Sequence, residues 1–162
     1  MSIARNIAAT YRAPGRVMAQ ILDLGPREDR ALAYLMAACL LMFIAQLPKL
    51  ARQAHLTGED LNMLMGGSLM GLVFVAPLLF YALAWLSHLV ARAVGGKGTF
   101  YSARMALFWA LLASSPLILL HGLVAGFIGP GLQMQIVGLV WFGVFLWFWL
   151  AGLRKAEQGH SA

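Results

Sequence analysis

VGGKGTF, Val94 to Phe100, is a glycine-rich loop set between two long stretches without charge. Upstream, no Asp, Glu, Lys or Arg occurs from Leu61 to Ala91; downstream, none occurs from Met105 to Leu153. A third such run, Ala31 to Pro48, comes earlier in the chain. A helix needs about 20 apolar residues to cross the hydrocarbon of a bilayer. The downstream run is long enough for two spans, divided at the turn-rich GFIGPG, Gly126 to Gly131. The loop therefore marks where the chain leaves one span and starts the next. The expected fold is all-α, a polytopic membrane helix bundle with four transmembrane helices at about 31–48, 66–91, 103–126 and 132–152.

Composition agrees with this reading. The 162 residues are 61% hydrophobic and 11% charged, against about 45–50% apolar and about 25% charged in soluble domains. In lipid every backbone amide must be paired within the protein, which leaves helices or closed barrels. Barrel strands would alternate over about ten residues, and the uninterrupted apolar runs do not alternate.

The net charge of +6 is no footprint for nucleic acid, because the basic residues flank the spans. Arg5, Arg12, Arg16, Arg27 and Arg30 precede the first helix, Arg92, Lys97 and Arg104 lie around the loop, and Arg154 and Lys155 follow the last helix. The opposite side has Lys49 and Arg52. Positive charge stays inside, so both termini are expected in the cytoplasm. Met1 to Arg30 lacks the apolar core of a cleavable signal. The lone Cys39 lies within the first span and has no partner for an intramolecular disulfide.

Residues 1–30 read as a cytoplasmic N-terminal arm, mobile up to Pro14. An amphipathic helix follows at about 16–24, with Val17, Met18, Ile21 and Leu22 on one face. Such a helix lies in the headgroup plane or packs on the ends of the bundle. The outer loop is expected from Lys49 to Asp60, where Thr57-Gly58-Glu59-Asp60 matches a capping box. Residues 153–162 form a short cytoplasmic tail, expected to be disordered from Ala156.

Two helices contain small residues four apart, Gly67-x-x-x-Gly71 and Gly122-x-x-x-Gly126. This spacing lets backbones approach closely, within one chain or between copies. Pro77 and Pro116 fall at similar depth in adjacent helices and are expected to kink them. Matched interruptions are a pointer to a transport site, although proline is also tolerated in membrane helices for packing alone.

The ionisable candidates within the spans are His88 and His121. By helical rise they differ by roughly 20 Å in depth, so they are not expected to share a metal. No span carries an Asp, Glu, Lys or Arg at depth, which argues against an ion-driven carrier. Ser68 with His121 is a weak constellation for hydrolysis, lacking any supporting signature. GGKGTF fails the phosphate-loop pattern, since Lys97 is followed by Gly98 rather than Ser or Thr. The glycines instead end one helix, and Thr99 or Ser102 caps the next. No catalytic residue, cofactor or metal is expected.

Gly95-Gly96-Lys97-Gly98-Thr99-Phe100, followed by an apolar helix with Pro116, resembles the core of bacterial proteins carrying the Yip domain. The resemblance covers roughly residues 15–152. It implies a non-enzymatic multispanning protein with a cytosolic N-terminus, whose eukaryotic relatives interact with Ypt/Rab GTPases and shape membranes. This chain lacks their long cytosolic N-terminal region, and four spans are expected here rather than the five typical of the family. A Rab partner is therefore not expected. The expected partners are the lipid bilayer and a membrane-protein partner or a second copy, with no nucleic acid. The reading is an accessory, scaffold or membrane-organising subunit of a bacterial inner membrane; the alternative is a small passive transporter or channel built on the kinked helices.

Overall fold

The computed structural model describes residues 2–158. Its elements in order are α1 (Ile3–Thr10), α2 (Pro14–Asp23), α3 (Glu28–Thr57), α4 (Leu61–Leu69), a π-helical segment Met70–Val75, α5 (Ala76–Ala93), α6 (Phe100–Ala113), α7 (Ser115–Phe127) and α8 (Leu132–Glu157). Among the described residues, three helices are long and apolar enough to cross a membrane: Glu28–Thr57, Leu61–Ala93 and Leu132–Glu157. The pair α6 and α7 makes a fourth if it is counted as one span, bent by 44° at Ser114. Against the four spans expected from sequence, the structure gives three, or four when that broken helix is counted as one span.

The core is α6. Eleven of its fourteen residues are buried, including Phe108 and Trp109. It can be buried all round because, beyond Arg104, its side chains are apolar all round, and because α3, α5, α8 and the N-terminal helices all pack on it. Tyr81 on α5 meets Phe108 edge-on at 5.0 Å, and Tyr34 on α3 meets Trp109 at 5.1 Å. Thr99 starts α6 with a reciprocal capping box, its hydroxyl accepting from the Ser102 amide while the Thr99 amide donates to Ser102 Oγ. That satisfies two amides that the first turn would otherwise leave unpaired.

Several boundaries differ from the sequence expectation. α3 does not stop at Pro48 but runs on to Thr57, ending at Gly58 in the left-handed conformation (φ 74°). Residues 49–57 are good helix formers, and the outer loop shrinks to Gly58–Asp60. The expected capping box at Thr57 does not form. Thr57 donates to the Gln53 carbonyl inside α3, and Asp60 caps α4 by accepting from the Asn62 amide. Gln53 and Thr57 also hold the Glu59 carboxyl below its ordinary range by hydrogen bonding.

The N-terminal arm is also different. Residues 3–10 form a helix, Thr10 is completely buried, and α2 lays Val17, Met18 and Ile21 against the bundle at 1–2% exposure. Met18 lies beside Gly152 and Ala106. The apolar face expected for the headgroup plane is thus covered by α6 and α8. The missed signal is Ile3, Ile7 and Tyr11, four residues apart on one helical stripe. α8 continues through Ala156, where a disordered tail was expected; residues 159–162 of that tail lie outside the described residues.

Candidate functional site

The loop after α5 is a socket for the end of α8. Gly95 takes φ 91°, a left-handed value open to glycine at no steric cost. The Gly96 amide then donates back to the Ala91 carbonyl at 2.8 Å, which closes α5. The Lys97 amide donates to the Glu157 carbonyl at 3.0 Å, and the Gly98 amide donates to Glu157 Oε2 at 2.9 Å. A Cβ on Gly96 would overlap the Glu157 carboxylate, and one on Gly98 would overlap the Ala156 carbonyl. The glycines therefore have two separate jobs. Gly95 bends the chain, while Gly96 and Gly98 let α8 come close enough to be held by main-chain donors.

A second set of contacts ties the same end together. Arg104 makes a two-pronged ion pair with Glu28 at the start of α3 and lies over the Phe100 ring at 4.3 Å. Its side chain is 12% exposed, and that of Glu28 is 62% exposed. Arg30 donates to the Gly25 carbonyl at 3.3 Å, just after α2. The loop, the tail of α8 and the starts of α3 and α6 thus form one basic end, where Arg27, Arg30, Arg92, Lys97, Arg104, Arg154 and Lys155 gather.

Deeper in the bundle, the break between α6 and α7 has a specific repair. Pro116 has no amide to offer the helix, and the Leu117 amide turns to the Ser114 carbonyl at 3.1 Å. The Ala113 carbonyl is thereby freed, and the Tyr11 hydroxyl donates to it at 2.8 Å. Burial raises the Tyr11 phenol above its ordinary pKa, so it stays protonated and able to donate. Ser114 Oγ serves the Leu111 carbonyl in the same way, at 3.1 Å. One turn away, the Trp109 indole donates to Thr10 Oγ1 at 3.1 Å, and Thr10 donates to the Asn6 carbonyl at 2.7 Å. The N-terminal helices thus satisfy polar groups that the broken helix cannot pair by itself.

The two prolines expected to kink matching helices behave differently. Pro116 sits in the first turn of α7, after the break. Pro77 is buried at the start of α5, and the helix before it widens into the π-helical Met70–Val75 without a comparable bend. The histidines do not meet. His88 is buried near the loop, with its ring 5.8 Å from that of Phe100. His121 lies near the other end, against Gly138 and beside a small cavity of about 30 Å³ that Gln46 and Lys49 also line. No group of three or more His, Cys, Asp or Glu side chains fit to hold a metal occurs among the described residues.

Sequence reasoning found the loop and Pro116 but missed Glu157 and Tyr11, which make them structural. The signal for Glu157 was one acidic residue in an otherwise basic tail. No curated protein and no solved structure matches the chain. The family model for the Yip1 domain matches residues 8–162, from the end of α1 to beyond α8. The match covers nearly the whole chain, and the chain belongs to the Yip1 domain family.

Proposed function

We propose that this integral membrane protein is non-enzymatic and acts as an accessory, scaffold or membrane-organising subunit. On this reading both termini face the cytoplasm of a bacterial inner membrane, because the basic end carries most of the positive charge. The observation that carries the proposal is the Leu61–Ala93 span. It has a mean hydropathy of 2.2, yet only 11% of its most apolar window is buried within the chain. Such a span offers a partner in the bilayer a full-length face, and packing is the main force that joins helices in lipid.

The test is affinity capture of the tagged full-length protein from native membranes in mild detergent. A stoichiometric membrane-protein partner, lost when Phe74 and Leu78 on the exposed span are replaced by Trp and Ala, is the expected result. Recovery of a partner-free monomer from membranes at native expression overturns the subunit reading. The alternative, a passive transporter using the interrupted helices, is less well supported. The carbonyl freed at the break is occupied by Tyr11 rather than left to line a path.

A further inference from the structure

A recess of about 670 Å³ lies between α5 and α8 at the basic end. Both helices pack on α6, and the recess is the space left between them. Leu83, Leu86 and Val90 form one wall, and Trp149, Leu150 and Leu153 form the other. Val94 to Gly96 of the loop line one end of it, and Arg154 and Gln158 also line it. We propose that this recess binds one phospholipid, with an acyl chain lying along the apolar walls and the phosphate held by Arg154.

Three observations select that occupant. The first is length. From Leu83 to Val94 the wall is about 16 Å long by helical rise, which matches one leaflet, half of a hydrocarbon core of about 30 Å. The second is width. The volume spread over that length admits an extended hydrocarbon chain. The third is charge. Arg154 is exposed, and Arg92 and Lys97 are exposed on the chain segments beside it. A guanidinium pairs with phosphate through two parallel hydrogen bonds. Glu157 also lines the recess and keeps its negative charge, with Oε2 accepting from the Gly98 amide and Oε1 buried. The exposed Arg92, Lys97, Arg154 and Lys155 outnumber it at this end. The inference needs the chain to sit in a bilayer, but it does not need the subunit role proposed above.

The test uses the full-length protein in phosphatidylcholine vesicles doped with phosphatidylglycerol that carries a photoreactive group near the end of one acyl chain. After illumination, adducts are mapped by peptide mass spectrometry. They are expected to concentrate on residues 83–94 and 149–153. Val90→Trp fills the recess from an exposed position (64% exposed) and is expected to lower those adducts by at least about tenfold. Adducts at Leu139 and Phe142, which are exposed elsewhere on α8, should stay unchanged. Arg154→Gln is expected to lower the recess adducts several-fold, and unlabelled phosphatidylglycerol should compete where unlabelled diacylglycerol does not. Adducts spread evenly over the apolar faces, or unchanged in both variants, would mean bulk lipid only and overturn the proposal. So would a disulfide between copies formed through Leu86→Cys, which would show that a second chain occupies the recess.

Discussion

Gly67-x-x-x-Gly71 in the α4–α5 span and Gly122-x-x-x-Gly126 in α7 are the same sequence pattern in opposite surroundings. A side chain added at Gly122 would run into the Ala45 carbonyl, and one at Gly126 would run into Pro48. At Gly67 and Gly71 an added Cβ meets nothing within 4 Å. The prolines of the two spans repeat the contrast. Pro116 leaves a break whose loose carbonyl is tied to Tyr11, whereas Pro77 is absorbed by a π-helical stretch with no added partner. Small residues and prolines thus permit close approach and interruption, but topology decides which of them is used. The broken helix at the centre uses its marks inside the chain. The α4–α5 span keeps its glycines on its outer face, while its proline is buried.

The largest effect should come from the packed glycines. Gly122→Leu must push α7 away from α3, because the clash is with main chain that cannot rotate aside. Overpacking costs about 1–3 kcal/mol, occasionally more, and here the upper end is expected. Thermal unfolding in detergent, followed by size-exclusion chromatography, should show a large loss of folded protein. Gly67→Leu should leave the same trace unchanged. Equal losses would break the contrast between the spans.

The loop offers a smaller version within one turn. Gly98→Val overlaps the Ala156 carbonyl and is expected to cost about 1–3 kcal/mol. Gly95→Ala meets no neighbour and suffers only its left-handed backbone, about 1–2 kcal/mol. Protease access to the end of α8 separates the two. Gly98→Val should release the Glu157 end for cleavage after Arg154 or Lys155, while Gly95→Ala should not.

Tyr11→Phe tests the repaired break. It leaves the Ala113 carbonyl buried without a donor, a loss of about 1–3 kcal/mol. In a Pro116→Ala background the helix can close its own bonds, so the same change should cost less. Coupling in this double-mutant cycle is expected to be about 0.5–3 kcal/mol. The corresponding cycle with Pro77→Ala should show none. If Tyr11→Phe costs the same in all three backgrounds, its hydroxyl does not serve the break.

Much of this was legible in the sequence, and the limits are physical. Uncharged runs found the long apolar helices, because lipid excludes charge whatever a helix packs against. The glycine loop was legible because left-handed turns need glycine. The extent of α3 was not, because Pro48 reads as a stop while its ring fits against Gly126 inside a continuing helix. The N-terminal helices were misplaced because a basic amphipathic helix looks the same on lipid or on protein. Its covering is set by α6, which is apolar on every side and needs a neighbour where α1 and α2 lie. At the loop, pattern gave the glycines but not Glu157, since its contact spans 59 residues of sequence.

The smallest expected effect is also the one that most exposes the comparison to failure. Gly67→Ala adds a methyl group where no atom of the chain lies within reach. Glycine in a helix is less favourable than alanine by roughly 0.5–1 kcal/mol in water. In lipid the backbone cannot escape to solvent, so the gain should shrink toward zero. The monomer should unfold at the same temperature or slightly higher. The informative outcome is in membranes at native density. If Gly67→Ala leaves cross-linking between copies unchanged, the outer face of the α4–α5 span meets lipid or a different partner there. If it lowers cross-linking without moving monomer stability, the pattern at Gly67 and Gly71 is used after all, across a copy boundary rather than within the chain. The contrast between the spans would then be one of which neighbour each meets, not of whether it meets one.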